Sequence, residues 1–290
     1  MFEGVLTALV TPFRDGAVDE RALQDLVEIQ IKAGVDGLVP CGSTGESATL
    51  SPAEHRRVIE VVVAAARGRV QVVAGTGSNS TAEATEFTRH AKEAGADGAL
   101  LISPYYNKPM PEGIVRHYAA IAAETAFPLI VYNIPGRTAS NIEPETFRRL
   151  AEIEQVVAVK ESCGDLNQVS QTIAATPDDF SVLSGDDWAT LPMMALGGSG
   201  VISTTSNIAP SDMVELVRAF RAGDLERARA TYYRLRPLFD VLFCETNPIP
   251  LKAAMAMRGL MSDEIRLPLT PISPPNRERL QATLKELGIL

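Results

Sequence analysis

The sequence predicts an α/β protein built on a closed (β/α)8 barrel, a TIM barrel, with a helical region at its C-terminal end. Three observations carry this. Eight short apolar runs alternate with amphipathic stretches as far as about Ala209. The runs are apolar almost throughout, not at every second residue, as in parallel strands covered on both faces. No Gly-x-Gly-x-x-Gly follows the first run, which disfavours the competing topology, an open doubly wound sheet of the dinucleotide-binding kind.

In chain order the runs are Val5–Val10, Gly37–Pro40, Val70–Gly75, Gly98–Ser103, Pro128–Asn133, Val156–Glu161, Phe180–Gly185 and Gly200–Ser203. All are too short for a buried helix. Between the first two, Asp19–Ala33 carries Leu23, Leu26, Val27 and Ile31 at helical spacing. Ser51–Arg67 opens with Ser51-Pro52-Ala53-Glu54, a capping box with proline at the first helical position. Thr81–Ala94 opens with Thr81-Ala82-Glu83-Ala84. Gly34 and Gly95 follow helix ends, where a left-handed residue is wanted. The similar stretches Ala33–Gly37 and Ala94–Gly98 mark equivalent units. Past Ala209 the alternation stops, and Ser211–Ala222, Asp224–Leu242, Pro248–Met257 and Asn276–Leu287 read as helices. We therefore divide the chain into a catalytic barrel over 1–222 and a helical domain over 223–290.

Composition narrows the function. Hydrophobic residues make up 46% of the 290, enough for a large core. The net charge is −9, the pI is near 5.0 and no Lys/Arg-rich run occurs, so a nucleic-acid partner is not expected. An anionic substrate would need locally placed cations or amide donors. Cys41, Cys163 and Cys244 are odd in number and form no CxxC, which suggests free thiols. His55, His90 and His117 lack metal-ligand spacing, so no metal is expected. The Met1–Gly4 start shows no basic-then-apolar leader, and no apolar run reaches the roughly 20 residues of a membrane span. The expectation is a cytoplasmic enzyme without a membrane partner.

Function on such a barrel gathers where strands end. Those ends supply Ser43 and Thr44, Tyr105 and Tyr106, Tyr132 with Arg137 in its loop, and Lys160. Lys160 closes an apolar run, where an ammonium ion is costly; a neutral amine attacks a ketone to give an imine. The plainer alternative is a lysine that snorkels or pairs with Glu161. Tyr132 precedes Lys160 by about one βα unit and could relay protons, or could simply be a buried structural tyrosine. Gly42-Ser43-Thr44-Gly45-Glu46 offers amides and hydroxyls to a carboxylate, or is an ordinary capped turn. Arg137 could fork a carboxylate, or lie on the surface.

Taken together these residues match a family. Gly42–Ala48 (GSTGESA), Tyr132–Thr138 (YNIPGRT), Val159–Ser162 (VKES), Ser184–Asp186 (SGD) and Asn247–Lys252 (NPIPLK) resemble dihydrodipicolinate synthases of the pyruvate-dependent aldolase superfamily, in order and at similar separations over essentially the whole chain. The resemblance implies condensation of pyruvate with L-aspartate 4-semialdehyde in lysine and diaminopimelate biosynthesis, without a cofactor. It implies an imine on Lys160 and a proton relay of Ser43, Tyr132 and Tyr106, the last from a neighbouring subunit. It implies that Thr44 holds the pyruvate carboxylate, Arg137 that of the semialdehyde, and that the Ile202 backbone lines the pocket. Ser43 stands where the family commonly has threonine. The family is usually a homotetramer of two tight dimers. In lysine-sensitive members an effector site draws on positions matching Ser47, Ala48, His55, Asn79, Glu83 and Tyr105. N-acetylneuraminate lyases share the GSTGE loop but usually lack the arginine, so the competing activity is an aldolase for a 2-keto-3-deoxy sugar acid. A non-catalytic regulator that binds 2-oxo acids is the alternative of another class.

Overall fold

The computed structural model describes residues 2–290. Eight parallel strands form the barrel: β1 Gly4–Ala8, β2 Gly37–Val39, β3 Gln71–Gly75, β4 Gly98–Ile102, β5 Leu129–Asn133, β6 Val156–Glu161, β7 Ser181–Ser184 and β8 Gly200–Ser203. Each pairs with the next, and β1 pairs with both β2 and β8, which closes the ring. The closure is tight. A Cβ on Gly200, whose φ is +146°, would lie 2.1 Å from the Gly4 carbonyl oxygen. Only glycine permits that backbone approach.

The helices are α1 Glu20–Ala33, α2 Pro52–Ala66, α3 Thr81–Glu93, α4 Pro111–Thr125, α5 Pro144–Leu150, α6 Leu166–Ala175, α7 Thr190–Ala195, α8 Pro210–Arg221, α9 Leu225–Val241, α10 Ile249–Met257 and α11 Pro274–Glu286. The capping box at Ser51 forms: its hydroxyl accepts from the Glu54 amide and the Glu54 carboxylate accepts from the Ser51 amide. α3 begins at Thr81, where the sequence reading opened it. Ser80 is the N-cap, and its side chain makes no capping bond. The first apolar run yields a strand only to Ala8; Leu9 and Val10 stay buried in the loop beyond. A small antiparallel hairpin, Phe13–Arg14 with Ala17–Val18, follows that loop. It was not foreseen, because two residues a side leave no periodicity to read.

Two apolar layers result. One fills the barrel with Phe2, Leu6, Ala8, Val39, Val73, Leu100, Ile130, Tyr132, Ala158, Leu183 and Ile202. The other, larger, lies between strands and helices and includes Val5, Leu38, Val131, Val159 and Val201. Alternation along each strand produces this partition. Beyond Arg221 the chain is helical: α9 packs on α8, and α11 on α9 and α10. Among the described residues, no helix is long and apolar enough to cross a membrane.

Candidate active site

Tyr132 and Lys160 are register partners on β5 and β6, and both belong to the inward-facing positions. Lys160 is 6% exposed, and its Nζ lies 4.2 Å from the centre of the Tyr132 ring. Ile202, on β8, lies in the same interior layer. A Cβ on Gly185 would sit 3.0 Å from Lys160 Cε and 2.0 Å from Ser162 Oγ. The Ser184–Asp186 segment thus leaves room for the lysine stem by having no side chain at its centre.

Lys160 does not pair with Glu161. Adjacent strand residues face opposite sides, and Glu161 is buried on the outer side of β6. There it accepts from Asn133 Nδ2 at 2.9 Å and from the Cys163 amide at 2.8 Å. Burial pushes its carboxyl up to about 7, against the pull of these bonds. The charges that bear on Lys160 are Asp186 and Asp187. Burial raises Asp186 to about 6, with Lys160 pulling down and Asp187 pushing up. Asp187 is raised too, by burial first, although Thr205 donates to it twice at 2.8 Å and Ser203 Oγ also bonds it. The sequence reading gave these aspartates no role. Their signal was the polar pair Asp186-Asp187 directly after an apolar strand.

The Gly42–Gly45 turn is folded on itself. The amides of Gly45, Glu46 and Ser47 donate to the carbonyls of Gly42 and Ser43. Among the described residues, the amides of Ser43 and Thr44 have no partner within the chain. Thr11 Oγ1 donates to the Gly45 carbonyl at 2.7 Å. Thr44 is buried, 3.5 Å from Thr204 by its hydroxyl, and accepts from Asn247 Nδ2 at 2.9 Å. Arg137 is exposed and lies on the one-turn helix Pro135–Thr138 after β5; its Nη2 donates to the Asn247 carbonyl at 3.1 Å. Asn247 therefore bridges Thr44 and Arg137, a link the sequence reading missed. Ser43 is half-buried on the same turn.

Tyr106 is not part of this constellation. It lies beyond the end of β4, 90% exposed, at a φ of 72°. Tyr105 and Tyr106 do not alternate as strand residues would, because the segment beyond β4 is not extended. Tyr105 is near Asn79, whose Nδ2 donates to its carbonyl at 3.1 Å. Glu83 bonds the Ser78 hydroxyl and is exposed at the start of α3. His55 is buried and stacks on Phe87 of α3 with ring centroids 4.2 Å apart. Burial lowers its pKa to about 4, with the Gly75 carbonyl opposing. Ser47 and Ala48 occupy a 3-10 turn before α2. Of the expected effector positions, Asn79, Glu83 and Tyr105 lie at or beside the start of α3, and His55 is buried against Phe87 of that helix.

A family model described as "Dihydrodipicolinate synthetase family" matches residues 1–287. The chain is 56% identical over 291 residues to a 4-hydroxy-tetrahydrodipicolinate synthase of Syntrophobacter fumaroxidans, covering 100% of both. It is similar to a chloride-inhibited dihydrodipicolinate synthase of Acinetobacter baumannii solved in complex with pyruvate, at 45% identity and a TM-score of 0.98 over 100% of both chains. It is also similar to a dihydrodipicolinate synthase of Cyanidioschyzon merolae solved with lysine bound, at 41% identity and a TM-score of 0.97 over 100% of this chain and 99% of that one. Four of the five matching motifs lie at strand ends and the fifth at the start of α10, and the family match runs the length of the barrel and through its C-terminal helices: the chain belongs to the dihydrodipicolinate synthetase family.

Proposed function

We propose that this chain condenses pyruvate with L-aspartate 4-semialdehyde through an imine on Lys160, giving 4-hydroxy-tetrahydrodipicolinate. The observation that carries it is the Tyr132–Lys160 pair: an amine and a phenol held on neighbouring strands inside an apolar barrel, in a chain more than half identical to a synthase of that name. The amine adds to the pyruvate ketone carbon and water leaves, giving the imine. Loss of a methyl proton gives an enamine, whose carbon attacks the aldehyde; the amino group of the semialdehyde then adds to the imine carbon and displaces the Lys160 amine, which closes the ring and frees the enzyme. Each step moves a proton, and Ser43, Tyr132 and the Tyr106 of a second subunit are the hydroxyls for that relay. Thr44, with the unpartnered amides of the turn, suits the pyruvate carboxylate. Arg137 suits the carboxylate of the second substrate, and the Ile202 backbone the wall beside the lysine. No step draws on a cofactor or a metal.

The exposed Tyr106 is also the support for a second subunit, in the homotetramer of two dimers expected of the family. L-Lysine is the proposed effector, at Ser47, Ala48, His55, Asn79, Glu83 and Tyr105. The cytoplasm, where the precursors are made, is the proposed location. Borohydride reduction in the presence of pyruvate tests the chemistry: it should add mass to the peptide containing Lys160. A coupled assay with L-aspartate 4-semialdehyde and with sugar aldehydes tests the substrate. Turnover with a sugar aldehyde alone would transfer the reading to the sugar-acid aldolases, and no labelling would leave a binding protein.

A further inference from the structure

Among the described residues, one ion pair has both side chains only 1% exposed: Glu46 with Lys252. Neither residue reaches the barrel interior that holds Lys160. Glu46 ends the Gly42–Gly45 turn, and Lys252 lies on α10. We propose that this pair is a positioning device for the substrate turn, fixing the height at which Thr44 and its amide meet the carboxylate of pyruvate. The proposal rests on the role given to Thr44 above.

Three observations carry it. The turn is bracketed by two non-glycine residues in the left-handed region, Cys41 at φ 57° and Glu46 at φ 53°. Such residues persist only where their surroundings over-determine them. For Glu46 the surroundings are explicit. Lys252 pairs with its carboxylate, and the Arg266 amide donates to Oε2 at 3.2 Å. Lys252 is held in turn by the Glu264 carbonyl at 2.8 Å and by the Phe13 ring, 4.0 Å from its centre. Finally, the segment that carries Lys252 grips the turn a second time, through Asn247 Nδ2 on Thr44 Oγ1. A buried ion pair contributes little stability over a well-packed apolar pair, and its attraction repays the desolvation only in good geometry. That property suits a device that holds a binding loop at one height better than a device that merely holds the fold together.

The test compares Glu46→Gln, which keeps the shape, with the doubly neutral Glu46→Gln/Lys252→Met, which leaves no buried charge unpaired. Each is assayed for melting temperature, for the pyruvate concentration that half-saturates borohydride labelling of Lys160, and for the KM of each substrate. Positioning predicts that half-saturation and the pyruvate KM rise about tenfold or more in the double variant. The semialdehyde KM should stay within about twofold, because that carboxylate has its own arginine. The rise should persist even where the melting temperature returns to that of the unaltered protein. Unchanged half-saturation in both variants, or equal loss for both substrates, overturns the positioning role. If neither variant folds, the pair is a stability element and the proposal falls. Absence of labelling in the unaltered protein would instead overturn the function on which the proposal rests.

Discussion

Lys160 and Tyr132 sit on adjacent strands, 6% and 5% exposed, each fixed by ladder bonds on both sides of its strand. Tyr106 sits on the loop after β4, 90% exposed, with Met110 nearby at 75%. The first region is complete within one chain. The second offers large apolar side chains that nothing in the chain covers, and Tyr106 and Lys108 both have left-handed backbone. Single exposed apolar side chains are ordinary on monomers; Tyr106 is set apart by the relay role proposed for it. Amine chemistry can therefore be built by one barrel, whereas a relay through Tyr106 needs a second. The predictions that follow either break this division or sharpen it.

The strand-borne region should give the largest effect. Lys160→Ala should abolish borohydride labelling and lower turnover on the order of 10⁴- to 10⁶-fold, the scale for removal of a nucleophile. Lys160→Arg should fail as well, because a guanidinium stays protonated and cannot attack. Labelling that survives Lys160→Ala unchanged would move the imine elsewhere.

The loop-borne region should give the next. Tyr106→Phe should lower turnover on the order of 10²-fold or more, the usual range for a lost acid–base group. Mixing inactive Tyr106→Phe subunits with inactive Lys160→Ala subunits should restore activity after exchange. In the mixed dimer, one site then has its own Lys160 and the partner's intact tyrosine. Absence of recovery after demonstrated exchange would return Tyr106 to its own chain and erase the division.

The same contrast explains what could be read in advance. All eight strands were legible, because buried parallel strands are written as local apolar runs. So were the capping box at Ser51 and the long C-terminal helices, whose signals span a few turns. The links that assemble the site were not. Asn247 to Thr44 and Lys252 to Glu46 join residues on opposite ends of the chain, and no local pattern encodes such a pairing. Glu161 is instructive as the alternative that fell. Alternation along β6 already forbade its pairing with Lys160, and the sequence contained that rule.

Glu161 sharpens the strand side of the comparison through pH. Its carboxyl is raised from 4.5 to about 7 by burial, so the folded state holds a proton that the unfolded state releases earlier. Stability is therefore intact below about pH 4.5 and falls as pH rises to about 7, after which the loss is constant. The span corresponds to about 3 kcal/mol. Glu161→Gln removes the titration. Its melting temperature relative to the unaltered protein should climb between about pH 4.5 and about pH 7 and then level off. A difference that does not change with pH would mean that Asn133 and the Cys163 amide keep Glu161 ionised throughout.

The smallest effect belongs to the loop side, where regulation is proposed. Glu83 is exposed at the start of α3, and the Asn79 side chain reaches the Tyr105 carbonyl across the neighbouring loop. A carboxylate and an amide so placed suit the ammonium and carboxylate ends of an amino acid. His55 lies behind the helix on Phe87, and burial holds it neutral with its pKa near about 4, so it can brace α3 without adding charge to the site. L-Lysine should inhibit at millimolar concentration, with a coupling on the order of 1–3 kcal/mol. Glu83→Ala should weaken that inhibition and leave labelling of Lys160 with pyruvate untouched, because the two groups belong to different regions. Inhibition of equal strength in Glu83→Ala would remove Glu83 from the site. If inhibition and labelling were lost together, the loop after β4 and the strand ends would act as one unit, and the division between them would not stand.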